Sequence, residues 1–187
     1  PAFLDYLRGM APTTTLMDLA SAPGSYHRGS TGMPFHLRRL EPTEAPLLRQ
    51  LRIAALQDAP DQFAETVAHA LARSEQEWVK FAASAYVAES NNALIGLVFA
   101  FEDASDDAVG RVGGMWVDPG ARRTGIGSAL VKAALSWAKE AGKRRVRLWV
   151  VPTTPGEGLY RRARFVPTGN QKQFPGDDSR VVIEMEI

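Results

Sequence analysis

Residues 117–128 join the end of a β-strand to the start of an amphipathic helix, and this junction constrains the fold more than any other segment. The turn contains Gly125 and Gly127, which lack a Cβ and let the backbone approach a ligand closely. The first N–H groups of a helix have no carbonyl partner within it, and the helix dipole adds partial positive charge there. The junction therefore predicts a site for a phosphate or pyrophosphate group.

The helix after the turn is predicted from apolar residues that recur at helical spacing between Ile126 and Ala141. Polar and charged side chains occupy the opposite face, and Gly142 is a typical residue to end a helix. Before the turn, Pro119 ends the strand because proline cannot donate a hydrogen bond to a sheet. A strand, a short turn and a long helix thus follow one another.

Two common nucleotide-binding loops fit this turn poorly. The dinucleotide fingerprint needs a third glycine and an acidic residue about 20 residues further on, whereas the next strand here ends in Val151-Pro152-Thr153. An ATP-binding P-loop needs a Gly-Lys-Ser/Thr sequence, which does not follow. The glycines could also be incidental to an ordinary strand-to-helix turn, since short glycine motifs alone are weak signals.

The junction resembles motif A of the GNAT superfamily of N-acetyltransferases, in which a strand ending in V-x-P precedes Q/R-x-x-G-x-G/A at the start of a long helix. The corresponding residues here are Met115–Pro119 and Arg122–Gly127. Downstream, Leu148–Val151 and Leu159–Phe165 are similar to motif B of that family, a hydrophobic strand followed by a short helix that carries Leu-Tyr. The resemblance extends over residues 37–187.

Motif B departs from the family pattern at three positions. Thr153 stands in the loop where the family often has asparagine, and Gly156 stands where alanine is usual. Arg164 replaces the glycine that usually precedes Phe165, while Tyr160 is at its expected place. These departures affect the cofactor contacts implied for motif B. Motif A, which is implied to bind the pyrophosphate, matches the family pattern.

The resemblance implies an enzyme that transfers an acetyl group from acetyl-CoA to a primary amine of a small molecule by direct attack. It implies that the pyrophosphate lies on the backbone of the loop and that the pantetheine pairs with the strand before it. Tyr160 would protonate the departing thiolate. The residues implied to bind the cofactor are Met115, Trp116, Val117, Arg122, Arg123, Thr124, Gly125, Ile126, Gly127, Ser128, Thr153 and Gly156.

The general base is less well determined by the residues. The strand at residues 111–117 contains no carboxylate, so we expect Glu102, at the end of the preceding strand, to be catalytic. Asp103, Glu65 and His69 are alternatives. A chain of water molecules leading to bulk solvent would also remove the proton from an amine with an ordinary pKa near ~10.4.

The pattern of the whole chain predicts an α/β protein with a mixed sheet of about six or seven strands and helices on both faces, which is also the GNAT architecture. Residues 35–187 form the predicted domain. Residues 1–34, which include a stretch rich in Pro, Thr, Ser and Gly, form a predicted flexible leader. The predicted order of elements is strand, two helices, three strands, helix, strand, helix, strand.

Local signals predict several element boundaries. A first strand is expected over residues 36–40, and Thr43 is a plausible N-cap for the helix that follows. Ser74-x-x-Glu77 is the pattern of a capping box before a second helix. Asn91-Asn92 lies between two apolar segments and predicts a hairpin turn. Alternating apolar residues over 181–187 predict the last strand.

Composition excludes several classes of site. The 187 residues include no cysteine, so disulfides, thiolate nucleophiles and cysteine–zinc sites are impossible. The three histidines lie far apart, so we expect no metal. The formal net charge of +1 argues against a nucleic-acid partner. No apolar run approaches the ~20 residues of a membrane span, so we expect a cytoplasmic protein without a membrane partner.

The sequence does not identify the acceptor, and three hypotheses remain open. The first is a cationic small amine, which acidic residues would attract; those residues are Asp58, Asp61, Glu65, Glu102 and Asp103. The second is an N-acetyltransferase that acts on a protein or peptide. The third is a CoA-binding sensor module without catalytic activity. The sequence also allows a homodimer, because the C-terminal strands of the fold it resembles often pair between chains.

Overall fold

A mixed β-sheet runs through the residues that the structure, a computed structural model, describes, namely 26–28, 34–175 and 177–187. Its eight strands are β1 (Tyr26–Arg28), β2 (Pro34–Arg39), β3 (Ala85–Ser90), β4 (Ala93–Glu102), β5 (Val109–Val117), β6 (Arg145–Val150), β7 (Val166–Phe174) and β8 (Asp177–Glu186). They lie in the order β1-β2-β3-β4-β5-β6-β8-β7. Neighbouring strands are antiparallel except β5 and β6, which are parallel.

Helices cover both faces of the sheet, which confirms the predicted fold class. Within the described residues they are α1 (Ala45–Asp58), α2 (Val67–Leu71), α3 (Glu75–Ala82), α4 (Ile126–Glu140) and α5 (Pro155–Arg162). The predicted capping box begins α3, since the Ser74 hydroxyl accepts from the Glu77 N–H and the Glu77 carboxylate accepts from the Ser74 N–H. The prediction of Thr43 as an N-cap is wrong, because Glu41 and Glu44 form the capping box at this position instead.

Strand β4 separates two hydrophobic cores, because its successive side chains point to opposite faces of the sheet. On one face Val98 packs with Leu130 and the other apolar residues of α4. On the other face Leu97 and Phe99 pack with Leu48 of α1 and with the apolar residues of α3. Each fully buried side chain of this size contributes roughly 1.5–3 kcal/mol, so the two cores hold the helices against the sheet.

The hairpin between β3 and β4 forms as predicted. Asn91 and Asn92 have φ values of 50° and 62°, in the left-handed region that asparagine tolerates better than most residues. Two left-handed residues in a two-residue loop match the right-handed twist of the flanking strands. The hairpin sets the register of β4, which in turn supports β5.

Three parts of the structure differ from the predicted order of elements. Three α-helices rather than two lie between β2 and β3, because Val67–Leu71 form the short helix α2. Tyr26–Arg28, which fall inside the predicted leader, form β1 and pair with β2, whereas residues 1–25 and 29–33 lie outside the described part of the chain. After α5 the sequence predicts one strand, but β7 and β8 are both present. Most side chains of β7 are exposed and polar, so no alternation of apolar residues marks it as a strand.

Candidate active site

The parallel strands β5 and β6 separate after a short paired stretch. In the described structure they pair over Val109–Arg111 and Arg145–Arg147, yet β5 continues to Val117 and β6 to Val150. Backbone N–H and C=O groups need hydrogen-bond partners, so the separated parts offer two strand edges on either side of a gap. An extended ligand with amide groups can pair with such an edge as an additional strand does.

A β-bulge bends β5 where the gap opens. Between Leu97 and Phe99 of β4, the paired stretch of β5 contains one more residue than that of β4. Gly114 lies in this stretch with a φ of 62°, and a Cβ there would stand 2.4 Å from the Phe99 ring. Bulges increase the local bend of a strand. The bulge therefore helps to turn β5 away from β6, and it requires glycine.

The N-terminus of α4 lies at the end of β5 beside this gap. Gly125 is the N-cap residue with a φ of 96°, and no side chain caps the helix. The Cβ position of Gly127 lies 3.2 Å from Leu159 of α5, so a side chain there would crowd Leu159, whereas its 3.8 Å distance to Val117 is an ordinary contact. Ile126 is fully buried and anchors the first turn. The backbone N–H groups of this turn are therefore available for an anion.

Two side chains of the loop before α4 are engaged within the protein. The Arg122 Nε donates to the Val117 carbonyl at 3.0 Å, and the Arg122 guanidinium forms an ion pair with Asp58. Thr124 is buried, and its hydroxyl donates to the Ala121 carbonyl at 2.6 Å. These contacts fix the loop. In this conformation, Thr124 would contribute to a phosphate site through its backbone N–H, and Arg122 would contribute chiefly through its positive charge, because its backbone N–H donates to the Pro119 carbonyl.

The other predicted cofactor residues of this region divide into buried and exposed ones. The Trp116 side chain belongs to the core beneath α1, and its indole N–H donates to Asp58 at 2.8 Å. Its contact with a cofactor is thus limited to the backbone of β5, next to Met115. Arg123 and Ser128 are exposed near the start of α4, and Arg123 has a φ of 65°.

The loop between β6 and α5 uses its polar groups to cap the helix. The Thr153 N–H donates to the Glu157 carboxylate at 2.7 Å, and the Thr153 hydroxyl donates to the Pro152 carbonyl at 2.6 Å. Thr154 is the N-cap of α5. A Cβ on Gly156 would make only ordinary contacts, the nearest with Thr154 at 3.6 Å. Replacement of the family's usual alanine by glycine therefore leaves the loop sterically open.

Tyr160 is buried on α5 beside Phe165, with the two rings edge to face and their centroids 5.7 Å apart. None of the described residues forms a hydrogen bond with its hydroxyl. Burial raises the pKa of Tyr160, so the hydroxyl remains protonated at neutral pH. Arg164, just before Phe165, has a φ of 71°. This left-handed conformation favours glycine, which accounts for the glycine that the family usually has there.

A cavity of about 470 Å³ reaches the gap between β5 and β6. Small-molecule pockets typically measure about 300–1,000 Å³. The lining includes the loop after α1, the ends of β4 and β6, the middle of β5, and the β7–β8 hairpin. Its polar and aromatic members include Arg52, Gln62, Phe63, Glu65, Asp103, Ser105, Arg111, Trp149, Lys172 and Phe174. The cavity is where an acceptor molecule could approach a ligand held in the gap.

A buried ionic network forms one wall of the cavity. Glu65 accepts from Arg52 at 2.9 Å and from Arg73 at 2.6 Å, and all three side chains are at most 6% exposed. The Arg52 guanidinium also stacks on Phe63 at 4.4 Å. Among the described atoms, the Arg52 Nη1 has no hydrogen-bond partner. Two guanidinium groups thus share one carboxylate, and this wall has an excess of positive charge.

A second network involves Arg111, which forms ion pairs with Asp103 and Glu184. Burial opposes the ionisation of Asp103, but hydrogen bonds from Ser105 and Arg111 outweigh it and lower the pKa of Asp103 to about 2. Burial likewise opposes ionisation of Glu184, but hydrogen bonds from Asn170 and Arg111 lower its pKa overall. Both carboxylates are therefore ionised at neutral pH, and both are weak bases.

Glu102 does not reach the cavity. Its side chain is 65% exposed, and its carboxylate lies 2.9 Å from the Lys143 ammonium. Because successive residues of a strand face opposite sides of the sheet, Phe101 and Asp103 line the cavity while Glu102 points away from it. In this structure Glu102 is therefore not placed to take a proton from an amine in the gap, and the expectation that it is catalytic stays a prediction without support from its position.

The sequence analysis missed Lys172 and Arg52 as residues of the site. Lys172 lies on β7, which carries no recognisable strand pattern, so nothing placed this residue beside the gap. Arg52 carried a usable signal, because it follows Leu51 on the stripe of α1 that faces the core. A charged residue at a core position is rarely buried without a partner, and this indicates a buried ionic network.

No helix of the described residues is long and apolar enough to cross a membrane. Over the same ranges, no group of three or more His, Cys, Asp or Glu side chains is arranged to hold a metal ion. The candidate site consists of the gap, the N-terminus of α4 and the cavity.

Comparison with known proteins identifies relatives of this chain. The family model described as the acetyltransferase (GNAT) family matches residues 50–165. A mycothiol acetyltransferase from Pseudarthrobacter chlorophenolicus is 29% identical over 116 residues, which cover 60% of this chain and 36% of that protein. An uncharacterized N-acetyltransferase from Methanocaldococcus jannaschii is 33% identical over 85 residues, which cover 43% of this chain and 38% of that protein. The chain matches less than two-fifths of the length of either relative.

A solved structure shares the fold. The acetyltransferase of the GNAT family from Streptococcus pneumoniae superposes on the chain with a TM-score of 0.68, and the match covers 82% of this chain and 98% of that one. The two sequences are 22% identical. At this level of identity the likeness shows the fold alone, so the acceptor must be argued from the residues of this chain.

Proposed function

Because the chain belongs to the acetyltransferase (GNAT) family, we propose that it transfers the acetyl group of acetyl-CoA to the primary amine of a small molecule. The observation that carries the proposal is the gap between β5 and β6, with the N-terminus of α4 at one end and the cavity opening into it. A thioester arm in this gap would have its phosphates at the helix and its carbonyl group near the cavity.

The seat for acetyl-CoA combines two backbone features. The pyrophosphate would accept hydrogen bonds from backbone N–H groups of residues 123–128, where the helix dipole, Arg122 and Arg123 add positive charge. The pantetheine amides would pair with the edge of β5 over Met115–Val117. Thr153 and Gly156 would contact the cofactor mainly by shape, because the Thr153 N–H and hydroxyl are already used within the loop.

The chemistry follows from direct attack. The neutral amine nitrogen bonds to the thioester carbonyl carbon, the C–S bond breaks, and the nitrogen loses one proton. Tyr160 gives its proton to the departing thiolate and is then reprotonated from solvent. The raised pKa of Tyr160 keeps this acid protonated before each turnover, and a positioned acid of this kind contributes about 10²–10⁴ in rate.

The proton lost by the amine would leave through water. Asp103 is ionised, but with a pKa of about 2 it holds a proton weakly, and it is committed to Arg111. Glu65 is held by Arg52 and Arg73. We therefore propose that water in the cavity, and no single carboxylate, accepts this proton.

A protein or peptide acceptor is the second candidate, and one contact argues for the smaller molecule. Arg180 of β8 donates to the Asp61 carbonyl at 2.5 Å and lies 3.6 Å from the Asp61 carboxylate. This contact joins the loop after α1 to the β7–β8 hairpin, and both segments contribute to the cavity lining. Such a bridge limits the room for a peptide backbone to pass through. The buried, protonated Tyr160 favours an enzyme over a sensor without activity.

Calorimetric titration with acetyl-CoA tests the cofactor seat. We expect Ser128→Glu to weaken acetyl-CoA binding at least about tenfold, because its carboxylate would stand near the pyrophosphate at the third residue of α4. A glutamate near a helix N-terminus stabilises the helix by about 0.3–1 kcal/mol, so a loss of binding would not reflect unfolding. Ser136→Glu, on the exposed middle of the same helix, is the matched control.

Release of CoA in the presence of a panel of amines then tests the reaction. Absence of acetyl-CoA binding by the wild-type protein would refute the proposed function. Equal binding by Ser128→Glu and Ser136→Glu would refute the assignment of the phosphate seat to the N-terminus of α4. Binding without acetyl transfer to any amine would favour the sensor module.

A further inference from the structure

We propose that the acceptor amine also carries a carboxylate, which Lys172 binds inside the cavity. The acceptor would accordingly be a small amino acid or a close analogue of one. This inference rests on the proposed function, because it names the chemical class of the acceptor in that reaction.

The acidic residues that could have attracted a cationic acceptor are all paired within the protein. A carboxylate whose charge is already balanced by a guanidinium or ammonium group attracts a further cation less strongly than an unpaired carboxylate does. The pairs are Asp58 with Arg122, Asp61 with Arg180, Glu65 with Arg52 and Arg73, Glu102 with Lys143, and Asp103 with Arg111. None of these five carboxylates is therefore left unpaired for a polyamine or a similar acceptor with several positive charges.

The charged groups that line the cavity favour an anion instead. Arg52, Arg111 and Lys172 are cationic, and they face two lining carboxylates, Glu65 and Asp103. Asp103 shares Arg111 with Glu184, and Glu65 is shared by two arginines. Lys172 differs from the other two cations, because no carboxylate of the described residues forms an ion pair with it.

The position of Lys172 suits a group at the far end of a small acceptor. It lies on β7 opposite Val182, and β8 separates β7 from β6. Its ammonium nevertheless reaches back to within 4.2 Å of the Trp149 ring on β6. Trp149 lies just beyond the residues at which β6 pairs with β5. The ammonium is therefore held over the edge of the gap, where the acetyl group would be transferred.

The surroundings of Lys172 strengthen its attraction for an anion. The side chain is half-buried, and burial together with the charge of Arg111 lowers the pKa of Lys172, although the charge of Glu184 opposes this shift. An ammonium group that has lost part of its hydration gains more from a charge-assisted hydrogen bond than one in bulk water. The Trp149 ring holds the ammonium in place by a cation–π contact. A carboxylate is the small anionic group most compatible with an acceptor that also carries an amine.

The test compares pairs of amines that differ by one carboxylate. CoA release is measured with lysine and cadaverine, phenylalanine and phenethylamine, tyrosine and tyramine, and the remaining protein amino acids. We expect the wild-type protein to prefer amino acids over their decarboxylated partners. Lys172→Gln should raise the KM for amino acids by about 10- to 100-fold, with little change in the KM for the decarboxylated amines.

Two further variants separate charge from structure. Lys172→Arg should retain most of the preference, because it keeps the positive charge. Lys132→Gln, an exposed lysine on α4, should behave as the wild type. The KM for acetyl-CoA should be unchanged in all three variants. Since the substitution at Lys172 is on a half-buried strand position, circular dichroism of each variant checks that the fold is intact.

The outcomes separate this inference from the proposed function. Equal or better turnover of the decarboxylated amines by the wild type would overturn the inference that the acceptor carries a carboxylate. It would leave the proposed acetyltransferase activity intact. An equal loss for both members of each pair in Lys172→Gln would overturn the role of Lys172. Where no amine is turned over, calorimetric titration of the same amino acids into the CoA-saturated protein decides, and no binding there overturns the inference.

Discussion

Replacement of Tyr160 by phenylalanine is the sharpest test of the chemistry. The structure leaves the Tyr160 hydroxyl without a protein partner among the described residues, and burial raises its pKa. If this hydroxyl protonates the thiolate, Tyr160→Phe should lower kcat by about 10²–10⁴. At about 1.4 kcal/mol for each tenfold change, this equals roughly 3–6 kcal/mol of lost stabilisation of the transition state.

The same substitution should hardly change stability. The phenylalanine ring can keep the edge-to-face contact with Phe165, whose centroid lies 5.7 Å away. No hydrogen bond to a described protein group is lost, so the free energy of unfolding should change by less than about 1 kcal/mol. Urea denaturation monitored by tryptophan fluorescence measures this. A large loss of activity with unchanged stability would then indicate that the Tyr160 hydroxyl takes part in the reaction.

The assay is steady-state release of CoA over a range of pH. The acid must be protonated to act, and its folded pKa lies above its ordinary value, so the wild-type kcat should not fall on the alkaline side up to about pH 10. Tyr86→Phe is the matched control, because Tyr86 is also partly buried with a raised pKa but lies on β3. A kcat for Tyr160→Phe within about threefold of the wild type would refute the role of Tyr160.

Three further predictions concern stability. Glu65→Gln should lower the free energy of unfolding by about 3–5 kcal/mol, because two buried guanidinium groups lose their carboxylate; an unchanged urea midpoint would contradict this. In the folded protein the pKa of Asp103 is about 2, below its ordinary value of 3.8. Ionisation of Asp103 therefore stabilises the fold at pH values above 3.8, and this stabilisation is lost as the pH falls toward about 2. Asp103→Asn should therefore be less stable than the wild type by about 2 kcal/mol at neutral pH. A difference in the free energy of unfolding between the two proteins that did not shrink as the pH was lowered would count against this pKa. Arg164→Gly should gain about 0.5–1 kcal/mol by removing left-handed strain, and a lowered thermal midpoint would show that the Arg164 side chain stabilises the fold instead.

The turn before α4 and the helix itself could be predicted from patterns among neighbouring residues. Helical spacing after Gly125 predicted α4, and Pro119 with the glycines predicted the turn before it. Both signals act within a few residues, because backbone conformation and the helix dipole are local properties. The hairpin at Asn91-Asn92 was predictable for the same reason, since its turn chemistry lies in two adjacent residues.

The pairing of charges did not follow from pattern. Arg122 and Asp58 are 64 residues apart, and Arg111 and Glu184 are 73 residues apart. Nothing in either segment indicates its partner, because such pairs exist only when helices and strands pack together. The position of Glu102 was equally hidden, since the face on which a strand residue lies depends on the register of the whole sheet.

The sequence by itself therefore determined the fold class, and it located the turn that we propose to bind phosphate and the candidate acid Tyr160. These depend on backbone geometry, on periodicity and on a motif that can be read along the chain. Tertiary structure alone decided which charges line the cavity, since that balance depends on long-range ion pairs and on β7, a strand without an apolar pattern. The packing of these elements brings Lys172 to the gap. The same packing pairs each of the five acidic residues predicted to attract a cation with an arginine or a lysine.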